Sequence, residues 1–240
     1  MIRSNKVLRN ASWIVVCRVL QSLIGFVISL FTARYLGPSN YGLISYASSL
    51  VLFVTPIMSL GLPNTLVQEI IERPEKEGEI LGTSMLSCSI TSLFCIVGVT
   101  AFSYFSTPNE TETIIVCALF SISLFFQAME LTVYWFQAKL LSKFSSLVSL
   151  SSYLLVSAYK FYLLSTQKSV YWFSVAYAID YALISIGLLW VYRKQGGQKL
   201  RFSFGMAKAL LDKSRFYIVS GLMVTIFTQT DKIMIKMMLG

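Results

Sequence analysis

Seven ionisable side chains stand inside long apolar runs: Arg18, Glu130, Lys160, Asp180, Asp231, Lys232 and Lys236. A charge set among hydrocarbon costs ~2.5–3.5 kcal/mol on insertion scales, so such groups face a wet cavity or an opposite charge. Cations in that setting can hold an anion, and a guanidinium fork matches two anionic oxygens at once. A carboxylate there can take up and release a proton, or lock two helices through an ion pair. Arg18 lies about a third of the way into the first run and, with Arg9 and Arg34, either lines a cationic path or snorkels to the interface. Lys160 has three readings: an anion ligand, a partner for Asp180, or a snorkelling side chain. Asp180, in the middle of its run, and Glu130 are the candidates for proton coupling or ion pairing. Asp231 and Lys232 are candidates for pairing across a cavity, with Lys232 also assigned to the cationic path.

Other chemistries find no support. The chain has no histidine, and Cys17, Cys88, Cys95 and Cys117 lie in or beside apolar runs with no CxxC pair, so neither a metal site nor a cofactor is expected. The cysteines are expected to pack as small hydrophobes. No nucleophile stands beside an evident base, which argues against an enzyme. Serines such as Ser145, Ser146 and Ser149 read as small polar positions where helices approach.

The elements that must position these residues are membrane helices. The chain is 240 residues long, 55% hydrophobic and 13% charged, with a mean hydropathy of +0.68. A soluble domain carries about 25% charged residues. The expectation is an all-α, multi-pass membrane protein. Seven apolar stretches are predicted near 11–33, 43–62, 80–105, 113–136, 144–165, 170–192 and 216–239, each near the ~20 residues that cross a bilayer. Gly37-Pro38-Ser39-Asn40 is turn chemistry, so the first two stretches should form a hairpin. Pro56 and Gly61-Leu62-Pro63 should bend or end the second.

The net charge of +9 does not point to nucleic acid, because the basic residues sit at the ends of apolar runs. With the N-terminus inside, the inner segments hold Arg3, Lys6 and Arg9; Arg73 and Lys76; Lys139 and Lys143; and Arg193, Lys194, Lys199, Arg201, Lys208, Lys213 and Arg215. The outer links between the first six stretches hold only Arg34 and Lys168, an asymmetry that orients the chain with a cytoplasmic N-terminus. Trp13, Trp135, Trp172 and Trp190 fall near stretch ends, where aromatic belts form. The start is basic like a signal peptide, but the apolar run is too long and lacks a cleavage site, so it reads as a retained span.

The ending Phe31-Thr32-Ala33-Arg34-Tyr35-Leu36-Gly37 is echoed by Lys236-Met237-Met238-Leu239-Gly240, a weak internal repeat in which the seventh stretch restarts the first. The organisation read from this is a six-span lobe over 1–192, a basic amphipathic cytoplasmic linker over 193–215, and a seventh span over 216–240.

Four places resemble a known family: Ala33-Arg34-Tyr35-Leu36-Gly37-Pro38-Ser39-Asn40-Tyr41-Gly42, Gly61-Leu62-Pro63-Asn64-Thr65-Leu66-Val67-Gln68-Glu69-Ile70, Tyr134-Trp135-Phe136-Gln137-Ala138, and Asp231-Lys232-Ile233-Met234 with Leu239-Gly240. The first is the most specific. Together they resemble the polysaccharide transporters, Wzx-type O-antigen and oligosaccharide-lipid flippases of the multidrug/oligosaccharidyl-lipid/polysaccharide exporter superfamily. Gln68 departs from the pattern, which has Arg there. The resemblance implies two six-helix lobes around a central cavity, of which this chain supplies the N-terminal lobe and the first helix of the second; either it is a fragment of a longer protein whose second half follows Gly240, or it is a truncated product without transport of its own. It also implies alternating access in the bacterial cytoplasmic membrane and a substrate of undecaprenyl-pyrophosphate-linked oligosaccharide. The pyrophosphate would meet Arg18, Arg34, Lys160 and Lys232. A polysaccharide polymerase and a chain-length regulator are the implied protein partners. Two other functions are carried alongside: a drug or cation exporter, which requires an acidic cavity, and a non-transporting scaffold of polysaccharide assembly.

Overall fold

The computed structural model describes residues 2–239, with side chains described for 10–236 and 238. Among the described residues nine α-helices follow one another: α1 (Ile2–Met58), α2 (Leu66–Glu72), α3 (Glu77–Ser106), α4 (Thr111–Ser121), α5 (Ser123–Glu130), α6 (Thr132–Ala138), α7 (Ser142–Ser165), α8 (Val170–Lys194) and α9 (Phe204–Leu239). Among the described residues there is no strand, and six helical stretches are long and apolar enough to cross a membrane. The protein is an all-α, multi-pass membrane protein.

The first of those stretches holds two crossings. Gly37 (φ 72°, ψ 175°) interrupts the helical backbone of α1, and Pro38 follows it. A straight helix would set Cys17 and Met58 about 60 Å apart. They instead line one cavity, so the chain doubles back as the turn residues predict. The two arms differ in burial. Leu43, Tyr46, Ala47, Leu50 and Val51 of the second arm belong to the core, whereas Leu23, Phe26, Val27 and Leu30 of the first are exposed.

The first arm runs alongside α7 in the same direction. Asn10 brackets the start of α7, its amide donating to Ser142 Oγ (2.9 Å) and its oxygen accepting from the Ser142 N–H (2.8 Å). Farther along, the Tyr35 hydroxyl donates to the Lys168 carbonyl (3.2 Å). These pairs define two ends of the molecule: the basic end, near Asn10 and Ser142, and the opposite end, near Tyr35 and Lys168.

At the basic end the second arm stops in a tight turn. Leu60 (φ 53°) and Gly61 (φ 66°) are both left-handed, and a short 3-10 turn, Leu62–Asn64, follows. The Ser214 hydroxyl donates to the Leu60 carbonyl (2.7 Å), and a Cβ on Gly61 would lie 2.6 Å from the Ser214 carbonyl oxygen. Gly61→Ala therefore meets both a left-handed backbone and a backbone clash. It is expected to destabilise the fold by about 1–3 kcal/mol, measurable as a lower denaturation midpoint in detergent.

α9 is one uninterrupted helix of 36 residues, roughly 54 Å long by its rise, well beyond ~30 Å of hydrocarbon. It packs along the second arm of α1, with a Cβ on Gly221 lying 2.9 Å from Pro56 Cβ. Its far end reaches the α3–α4 link, where Lys236 Nζ lies 2.8 Å from Glu110 Oε2. That hydrogen bond, then one from Thr113, holds the Glu110 carboxyl below its ordinary range. A carboxyl depressed in the folded state contributes stability above its unfolded pKa, and this is lost as pH falls through the folded value. Acidification is therefore expected to free the end of α9 from the 107–110 link, read as faster amide exchange there. Glu110→Gln should remove the pH dependence.

The aromatic belt divides. Trp172 and Trp190 are 49% and 63% exposed and suit an interface. Trp135 is a correction: it is 3% exposed and packs edge-on against Phe136 and Tyr192 (5.1 and 4.8 Å). Cys17, Cys88, Cys95 and Cys117 are buried free thiols, as their apolar surroundings predict.

Candidate functional site

A cavity of about 420 Å³ opens among α1, α5, α6, α7 and α8. Span four shapes it. The sequence predicts one helix over 113–136, and the structure has one helical span, Thr111–Ala138, made of α4, α5 and α6 with single turn residues at Ile122 and Leu131. Glu130 is the last residue of α5. Ile122 (φ −55°, ψ −29°) and Leu131 (φ −51°, ψ −19°) both keep helical backbone, so the three segments run on as one span that carries the Glu130 carboxylate to the cavity.

Asp180 comes from the middle of α8 and lines the same cavity, as does Arg18 from the first arm of α1. α5 and α8 are held in register by Ser185, whose hydroxyl lies 3.0 Å from the Phe126 carbonyl and also contacts that of Tyr181. The Phe120 and Tyr177 rings stack at 4.1 Å between α4 and α8. Glu130 lies within electrostatic reach of both Arg18 and Asp180. Lys160 is not in the lining, yet it is close enough to act on the Asp180 charge. No ion pair within 4 Å joins these four among the described residues. The buried Oδ1 of Asp180 has no hydrogen-bond partner among the described residues.

The structure thus gathers Arg18, Glu130 and Asp180, with Lys160 beside them, and leaves the other candidates elsewhere. Arg34 edges a separate hollow at the opposite end with Phe31, Tyr35 and Phe161. Asp231 and Lys232 are exposed on α9; the Asp231 carboxylate accepts from the Lys232 backbone N–H (2.8 Å), and the Lys232 ammonium reaches Gln229 (3.4 Å). The cavity does not present a purely cationic wall: it sets two carboxylates against one guanidinium. Arg9 and Gly240 lie outside the residues whose side chains are described.

Much of the remaining lining is polar and uncharged. Ser142, Ser145, Ser146 and Ser149 share one face of α7 and meet the cavity opposite Gln21 and Gln137. Reading these serines as helix-packing positions missed that face. Their spacing of three and four residues was the available signal, since that is the period of one helical side.

A membrane-embedded helical bundle with a polar, charged cavity at its centre is the class defined by this arrangement. A family profile described as polysaccharide biosynthesis protein matches residues 7–240, and the chain belongs to that family. No match was found among curated proteins or among solved structures.

Proposed function

We propose that this chain forms the N-terminal lobe of a transporter that carries lipid-linked oligosaccharide, of the undecaprenyl-pyrophosphate O-antigen or capsule type, across the bacterial cytoplasmic membrane by alternating access between two lobes. The reading rests on one observation above others: Arg18, Glu130 and Asp180, from three separate helices, line a shared polar cavity within an otherwise apolar bundle. A guanidinium in such a site suits a pyrophosphate, while hydroxyls and amides suit sugar. No bond is made or broken in flipping, so the protein acts as a transporter rather than an enzyme. The basic end then faces the cytoplasm, where the positive-inside rule puts it. A polysaccharide polymerase and a chain-length regulator would be its partners in assembly.

The test is expression of the full-length reading frame containing this chain in a bacterium whose own oligosaccharide flippase has been deleted. Surface polysaccharide is expected to return. Failure to return, with the chain shown to be membrane-inserted and the matching sugar unit being made, overturns the reading. A drug or cation exporter is the second reading, favoured specifically by the two carboxylates in the lining. It predicts cationic dye efflux that Asp180→Asn abolishes and no return of polysaccharide.

A further inference from the structure

Two crevices flank the exposed face of α3 near the basic end. One, about 240 Å³, lies between α3 and α9, walled by Leu60, Leu62, Phe204, Leu210 and Leu211, with Lys208. The other, about 290 Å³, lies between α3 and residues 200–202, walled by Met85, Leu86, Met129 and Phe202, with Arg201. Each is an apolar slot carrying a single cation. Leu86 and Ile90, 45% and 49% exposed, mark the α3 surface there as lipid-facing.

A strap anchored on α3 separates the slots. The Arg201 N–H donates to the Gly78 carbonyl (3.2 Å), and the Ser203 N–H donates to Thr83 Oγ1 (3.1 Å). The Phe202 and Phe204 rings meet edge-on at 5.1 Å, and Phe204 is 84% exposed. An aromatic so exposed beside basic residues belongs at a membrane surface rather than in water. Lys139 and Lys213 of this end are committed to carboxylates, whereas neither Arg201 nor Lys208 forms an ion pair among the described residues. Over 193–215 there are seven basic residues and a single acid, Asp212.

We propose that this surface binds an anionic phospholipid from the leaflet at the basic end, its acyl chains entering the two slots and its phosphate held by Arg201 and Lys208. Basic pockets between membrane helices recognise anionic headgroups in this way. A zwitterionic lipid fits the apolar walls but gains less from two uncommitted cations. Soluble phosphate gains from the cations but makes no use of the walls. The site is separate from the central cavity and does not depend on what passes through it.

The test reconstitutes the full chain in phosphatidylcholine bilayers containing a minority of phosphatidylglycerol, extracts it in mild detergent, and counts retained lipids by native mass spectrometry. Phosphatidylglycerol should be retained over phosphatidylcholine, and R201A/K208A should lower that preference about tenfold. The R193A/K194A control and the conservative R201K/K208R variant should keep it. Circular dichroism confirms that each variant folds; if R201A/K208A fails to fold, loss of preference in R201Q/K208Q supports the site and its persistence overturns it. Unchanged preference in R201A/K208A, equal loss of both lipids, or displacement of phosphatidylglycerol by inorganic phosphate each overturns the proposal.

Discussion

Under the proposed function, Arg18→Ala is expected to lower oligosaccharide transport by about tenfold to a hundredfold, the range for withdrawing a charged hydrogen-bonding group from its partner. The effect follows from what remains in the cavity. With the guanidinium gone, Glu130 and Asp180 line the same space with Lys160, among the described residues, as the one cation near them. A pyrophosphate would then approach two carboxylates without the fork that offsets them. Arg18→Lys should restore little, since an ammonium is a point charge and cannot match two oxygens in a plane. Asp180→Asn supplies the discriminating comparison. If the cargo is anionic, removing a negative charge is tolerated better than removing Arg18. If the cargo is cationic, the order reverses. Surface polysaccharide, normalised to membrane-inserted protein, reads the difference, and a neutral outcome for Arg18→Ala sinks the anionic-cargo reading.

The parts legible in the sequence were those set by hydrocarbon and turns. Apolar runs of membrane length, and a Gly-Pro break between two of them, lead directly to the spans and to the doubled-back α1. Arg18, Glu130 and Asp180 could be singled out because a charge in an apolar run has few inexpensive explanations. Their convergence could not be read, because it depends on which helices neighbour which. Arg34 and Lys232 show the consequence: each looks like a member of the same set, and each lies elsewhere. Trp135 was misread for a related reason. A tryptophan near the end of a run suits an interface, but α2 and α8 pack around α6 and close over it.

The charged link over 67–79 carries the larger stability prediction. Glu69 and Glu77 stand among charged residues, yet they are 3% and 5% exposed. Glu77 opens α3 and lies 2.6 Å from Lys139, which follows α6. Glu69 is paired with Lys213 of α9 and lies 3.8 Å from Arg73. A buried carboxylate stripped of its sole cation is left uncompensated, at a cost of about 3–5 kcal/mol, whereas one that retains a second cation loses less. Lys139→Ala should therefore lower the unfolding midpoint more than Lys213→Ala, although Lys213 joins α9 to α2 across a much longer stretch of chain. The double substitution Glu77→Gln with Lys139→Met should recover most of the loss, because it removes the stranded charge along with its partner. Equal effects of the two lysine substitutions would mean that Arg73 gives Glu69 no compensation. No recovery in the double variant would mean that packing at the α3–α6 junction, rather than the buried charge, sets the loss.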